Sequence, residues 1–135
     1  MAAGTISVVP GSHALSAAIS QAQAGDVLML ADGQYEESSN IVISTPLTIC
    51  AAEGAKPVLM AGGRIEVKAD LRVAGLSIET HKAAEAFRLQ PGEEIYSLYL
   101  QGCSIKGFSS KTIRVYATDQ AAAYVDSLVI DDCVV

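Results

Sequence analysis

Short apolar runs recur along this chain, and within each run apolar and other residues alternate with a period of two. The clearest instance is Leu71-Arg72-Val73, then Gly75, then Leu76-Ser77-Ile78. Leu98-Tyr99-Leu100 with Gly102-Cys103-Ser104-Ile105, and Leu128-Val129-Ile130 with Asp132-Cys133-Val134-Val135, align to it without a gap. Their common form is L-x-[VLI]-x-[GD]-[LC]-x-[IV]. Alternation of this kind puts every second side chain on one face of a strand. The parity changes between Val73 and Leu76, so a bend is needed there, and Gly75, Gly102 and Asp132 tolerate left-handed backbone. Each unit therefore reads as strand, corner, strand. Earlier copies are Leu28-Met29-Leu30 before Asp32-Gly33, and Leu47-Thr48-Ile49 before Ala51. Leading leucines at 28, 47, 71, 98 and 128 recur at a drifting interval of roughly 20 to 30 residues, the mark of stacked coils with variable loops. The runs Ile41–Ile43, Val58–Met60, Ile65–Val67, Ala86–Leu89 and Ile113–Val115 supply the other faces.

The N-terminal quarter differs. Thr5 to Val9 is β-branched and predicts a first strand, which Pro10-Gly11 ends. Residues 12–24 predict an amphipathic helix, with Ser12 as N-cap, a stripe of Leu15, Ala18, Ile19 and Ala22, and Gly25 closing it. A lone helix ahead of many strands is expected to cover the open end of a stacked core. Val27 to Leu30 is too short for a helix and continuously apolar, predicting a strand buried on both faces; Asp32-Gly33 then turns the chain toward Tyr35. The expectation is an all-β chain: a right-handed parallel β-helix, or solenoid, of about five coils with an N-terminal capping α-helix. It forms one domain over 1–135, with coils in 25–135, and is expected to be part of a longer natural chain. An antiparallel sandwich is the competing architecture. It is disfavoured by the single Asp-Gly and by the repeat's constant orientation.

Half of the 135 residues are hydrophobic, yet no run approaches the roughly 18 to 20 apolar residues of a membrane span. Fifteen acidic and nine basic residues give a net charge of −6, which weighs against nucleic acid or an anionic membrane as partner. Cys50, Cys103 and Cys133 are widely spaced, without zinc-ligand patterning. Cys103 and Cys133 share one slot of the aligned units, so coils stacked about 4.8 Å apart put a disulfide within reach, with small apolar thiols the favoured reading. The N-terminus lacks the charged and apolar regions of a leader.

The run from Pro10 through Gly62 resembles the cap and first coils of pectin-lyase-like right-handed parallel β-helices, and the resemblance covers residues 5 to 80, with the remaining coils only generic rungs. The likeness is to polysaccharide lyases of the chondroitinase B and alginate lyase type and to related bacterial surface domains. The residues that carry it are Ala24-Gly25-Asp26, Leu28 to Leu30, Asp32-Gly33-Gln34-Tyr35, Pro46 to Ile49 and Ala55 to Leu59. The resemblance implies a secreted or cell-surface setting, a cytoplasmic one being the alternative, and a polysaccharide partner. Such lyases remove a proton beside a uronate carboxylate with a basic residue, the carboxylate being neutralised by calcium or arginine. No residue here matches those groups by motif, so the expectation is carbohydrate binding or scaffolding without a complete active site and without a cofactor. The alternatives are a uronate-polysaccharide lyase acting by β-elimination, with calcium, and a structural solenoid. The last would self-associate end to end through the C-terminal coil, Val129 to Val135.

Basic and aromatic residues of the later coils, Lys106, Arg114, Tyr99 and Tyr116, are the candidate saccharide-binding set, provided that Lys106 and Arg114 share a sheet face. Lys68, Arg88, Lys111 and Tyr96 lie nearby in sequence, and strand-edge charge explains such residues as well. His13 and His81 have no nucleophile or metal partner at recognisable spacing. Asp126, Asp131 and Asp132 are read as solvated turn residues rather than a calcium site.

Overall fold

A computed structural model describes residues 4–38, 40–79, 85–89, 96–106, 111–115 and 125–131. The strands are β1 (Thr5–Val8), β2 (Asp26–Leu30), β3 (Gly33–Glu37), β4 (Ile41–Ile43), β5 (Leu47–Ala51), β6 (Pro57–Ala61) and β7 (Ile65–Val67). They continue as β8 (Leu71–Ala74), β9 (Ser77–Glu79), β10 (Glu85–Leu89), β11 (Tyr96–Gln101), β12 (Ser104–Lys106), β13 (Lys111–Val115) and β14 (Val125–Asp131). One helix, α1 (Ala14–Gln21), follows β1.

Every strand pairs parallel to its counterpart one coil away. The first sheet runs β1-β2-β5-β8-β11-β14, the second β3-β6-β9-β12 and the third β4-β7-β10-β13. A sandwich is excluded by that pairing. The chain is a parallel β-helix of four complete turns, with β14 opening the next. Its interior is filled by ladders of like residues in register. Leu28, Ile49, Val73 and Leu100 form one in the first sheet. Tyr35, Leu59, Ile78 and Ile105 form one in the second, and Ile41, Ile65 and Phe87 one in the third. All of these side chains are buried. Each contributes about 1.5–3 kcal/mol through removal of apolar surface from water, so parallel strands of three residues suffice where an isolated one would not.

The leucine units at 71, 98 and 128 pair as aligned. The corners fall at Gly75 and Gly102, with φ of 70° and 60°. The first unit is offset: Leu28 pairs with Ile49, and Leu47 faces Asp26. Leucine at 28 is thus the second inward residue of its strand, a slot whose first inward position is occupied by a carboxylate. Val27 and Met29 are half-buried and face outward, so β2 is covered on one side rather than both.

The cap helix is shorter than residues 12–24. Ser12 is held in a parallel bridge to Glu36, and the N-cap is His13, in left-handed conformation at φ 60° with no side-chain cap. The helix ends at Ala22, whose backbone is extended. Leu15 is buried under the helix, and Ala14, Ala18, Ile19 and Ala22 pack on the core, so β1 and α1 together stand in for a coil and close the stack.

Side chains at the corners tie successive coils. Asp32 accepts the Lys56 N–H at 2.8 Å, Asn40 that of Arg64 at 3.0 Å, and Asp70 that of Ser97 at 2.7 Å. Tyr35 is fully buried, and its hydroxyl donates to the carbonyls of Ala31 at 2.7 Å and Val8 at 2.9 Å. Residues 132–135, on which the corner at Asp132, the Cys103–Cys133 pairing and the self-association surface rest, lie outside the described residues.

Candidate functional site

The outward positions of the first sheet form straight columns, because its rungs stack without slippage between β2 and β11. One column is Val27, Thr48, Arg72 and Tyr99. Around it runs an open groove of about 250 Å³, lined by Thr48, Asp70, Arg72, Ser97 and Tyr99, with Pro46 and Gly25 at one end. The Arg72 guanidinium carbon lies 4.9 Å from the centre of the Tyr99 ring. At an exposed site this contact is worth about 0.5–1 kcal/mol, which biases the arginine toward the ring without fixing it. No carboxylate lies within ion-pair distance of Arg72 among the described residues. Its planar donor fork therefore remains available for a carboxylate.

Asp70, at the surface, fixes the other wall. Its Oδ1 takes the Ser97 N–H where β11 begins with an irregularity in its pairing to β14, between Tyr96 and Ser97. That bond sets the position of the strand carrying Tyr99. Tyr96, buried beneath, has its phenol pushed up to about 12 by burial and stays neutral. Cys50 occupies the neighbouring outward column, with Met29 and Ala74; burial pushes its thiol up as well, so it is a poor nucleophile.

Among the described residues, Tyr99 is the saccharide candidate that lines this groove. Lys106 is exposed on the second sheet, in register with Glu79. Arg114 belongs to the third, in register with Arg88. The two positions are therefore on different sheets, because β12 and β13 belong to different sides of the coil. Tyr116 lies outside the described residues, as does His81. Asp126 and Asp131 fall in β14, and Asp132 is not among the described residues. Among the described residues no group of three metal-ligating side chains converges, and no helix is long and apolar enough to cross a membrane. Arg72 and Asp70 are the residues that sequence reasoning passed over. A signal for Arg72 was present: it fills the slot in Leu71-x-Val73 that Tyr99 fills in Leu98-x-Leu100, so stacking alone makes them neighbours.

Residues 33–135 match the model of a family described as a domain of unknown function, DUF4957. The chain belongs to this family. No curated protein matches the sequence. Among solved structures, the chain superposes on a PL6 family alginate lyase, AlyGC, in an arginine-to-alanine mutant form with a TM-score of 0.77 and 23% identity, covering 98% of this chain and 20% of that one. A second AlyGC structure gives a TM-score of 0.75 at 20% identity, with 98% and 24% covered. The DUF4957 chain thus has the fold of a polysaccharide-lyase β-helix and spans about a fifth to a quarter of the length of those lyase chains.

Proposed function

We propose that this domain binds an acidic polysaccharide along the outer face of its first sheet, as a lyase-like module without a complete eliminating site, in a secreted or cell-surface protein. One observation carries the reading: an arginine with no carboxylate partner among the described residues, braced on a tyrosine ring in a groove running across the coils. Arginine supplies the charge and the bidentate geometry for a uronate carboxylate; Tyr99 and Thr48 supply ring and hydroxyl contacts. The described lining contains no lysine or histidine, and its one carboxylate, Asp70, is engaged with Ser97. The likeness to alginate lyases supports the substrate class.

The test is calorimetric titration with uronate oligosaccharides and neutral oligosaccharides of equal length. A charge-assisted hydrogen bond is worth about 1.5–3 kcal/mol, and exposure places this one near the lower value. Arg72→Gln is expected to weaken uronate binding about tenfold and to reduce its salt dependence. Equal binding of neutral oligomers, or an unchanged Kd in Arg72→Gln, refutes the proposal. Rising ultraviolet absorbance from unsaturated product on alginate would show the lyase alternative instead.

A further inference from the structure

A second groove, of about 440 Å³, opens on the far side of the first coil, between the start of α1 and the ends of β3 and β6. Three residues of its lining are Ser38, His13 and Glu37. The Ser38 hydroxyl lies 3.5 Å from His13 Nε2, and His13 Nδ1 lies 3.9 Å from Glu37 Oε1. The order is that of nucleophile, base and orienting carboxylate, with the serine at the outer limit of hydrogen-bond distance from the imidazole and the carboxylate beyond it. We propose that Ser38, His13 and Glu37 form a hydrolytic triad that cleaves small acyl esters.

The fold builds the arrangement from three sides. Glu37 is the last residue of β3, and its side chain is only 3% exposed. Its other oxygen faces the Ser16 N–H in the first turn of α1, at 3.5 Å, where the helix end favours negative charge. His13 is pinned by its own N–H, which donates to the Glu36 carbonyl at 2.7 Å. Among the described residues it is the only one other than glycine with positive φ, at 60°. Such strain collects at functional positions, and here it turns the ring toward the strand end while leaving it 55% exposed. Ser38 follows β3 directly and is exposed to solvent. Gly62 forms the wall behind it: a Cβ there would meet the Glu37 carbonyl oxygen at 2.5 Å and the Ser38 Cα at 2.8 Å. Catalytic hydrogen bonds are longer in unliganded sites than in the reacting complex.

With the imidazole proton on Nδ1, toward Glu37, Nε2 takes the Ser38 proton as Oγ attacks the ester carbonyl carbon. The carbon–oxygen bond to the alcohol then breaks, and the alcohol leaves with the proton from Nε2. Water, deprotonated by the same nitrogen, attacks the acyl-serine, releasing the carboxylic acid and restoring Ser38. Gln34 is also in the lining, and its amide is assigned the role of donor to the oxygen that becomes negative. The open groove fits a small acyl group such as acetyl carried on an exposed hydroxyl.

The probes are p-nitrophenyl acetate and a fluorophosphonate, used on the whole chain. Wild type is expected to hydrolyse the ester above the rate of Ser38→Ala, and to carry the fluorophosphonate on Ser38 by peptide mass. His13→Ala is expected to lose about 100-fold of that difference, the usual contribution of a general base. Glu37→Gln, which keeps the side chain's shape, is expected to lower the rate while leaving the circular dichroism spectrum intact. Hydrolysis by Ser38→Ala at the wild-type rate, an unchanged rate in His13→Ala, or absence of label on Ser38 overturns the proposal.

Discussion

Replacing Tyr35 by phenylalanine removes one hydroxyl from the joint between cap and first coil, and its effect follows from four atoms. The hydroxyl donates to the carbonyls of Ala31 and Val8, at 2.7 and 2.9 Å. The Val8 carbonyl keeps a second donor, the Ala31 N–H at 2.9 Å, so it is not stranded by the change. The Ala31 carbonyl loses the donor that holds it, but Ala31 is half-exposed and water reaches it. The loss is thus one buried hydrogen bond plus part of the desolvation cost of one carbonyl, about 1–2 kcal/mol. In a chain of this length that lowers Tm by about 3–6 °C. Urea denaturation followed by circular dichroism measures it, with Tyr99→Phe as the comparison. Tyr99 is half-exposed and makes no hydroxyl hydrogen bond among the described residues, so its variant is expected within about 0.5 kcal/mol of wild type. Equal midpoints for wild type and Tyr35→Phe would refute the reasoning that Tyr35 locks β1 to the turn after β2.

Phe87→Ala empties the third sheet's interior ladder next to Ile65, and about 3–5 kcal/mol should be lost in the same assay. Gly75→Ala forces a side chain onto φ 70° and brings its Cβ to 3.2 Å from that of Ala51. A cost of about 1–2 kcal/mol is expected, with a much smaller effect at Gly4, which has open space. Asp26 accepts the backbone N–H groups of Gln23 and Gly4, which hold its carboxyl below the ordinary range. A lowered folded value means that the stabilisation is present above the unfolded value, about 3.9, and is lost as pH falls through the folded value. Acid melts of Asp26→Asn should lack that part of the decline; an unchanged acid profile would contradict it.

The scaffold was legible because it is one-dimensional. A parallel coil repeats its inward residues in register, so Leu71, Leu98 and Leu128 announce each other, and Gly75 and Gly102 mark the corners between sheets. The first coil was harder to place, since Asp26 takes an inward slot that leucine fills elsewhere. The leucine repeat therefore starts at Leu28, two residues after the true first inward position. The cap helix was overextended because Ser12 looks like an N-cap, whereas its backbone is committed to Glu36 and the helix begins after a left-handed His13. The site was less legible. Grouping Lys106 and Arg114 by sequence proximity ignored that consecutive strands of a coil lie on different sides, while Arg72 and Tyr99, a full coil apart, touch. The Ser38, His13 and Glu37 groups are joined only through the fold: His13 lies before the helix and the other two after β3, and no spacing rule links them.

The most direct test of the binding face is a nuclear magnetic resonance titration of the isotopically labelled chain with a uronate oligosaccharide. Amide shifts concentrated at Thr48, Asp70 to Arg72 and Ser97 to Tyr99, and lost in Arg72→Gln, are the expected result. Shifts confined to the second or third sheet, or their absence at millimolar oligosaccharide, would contradict the assignment of the first sheet as the carbohydrate surface.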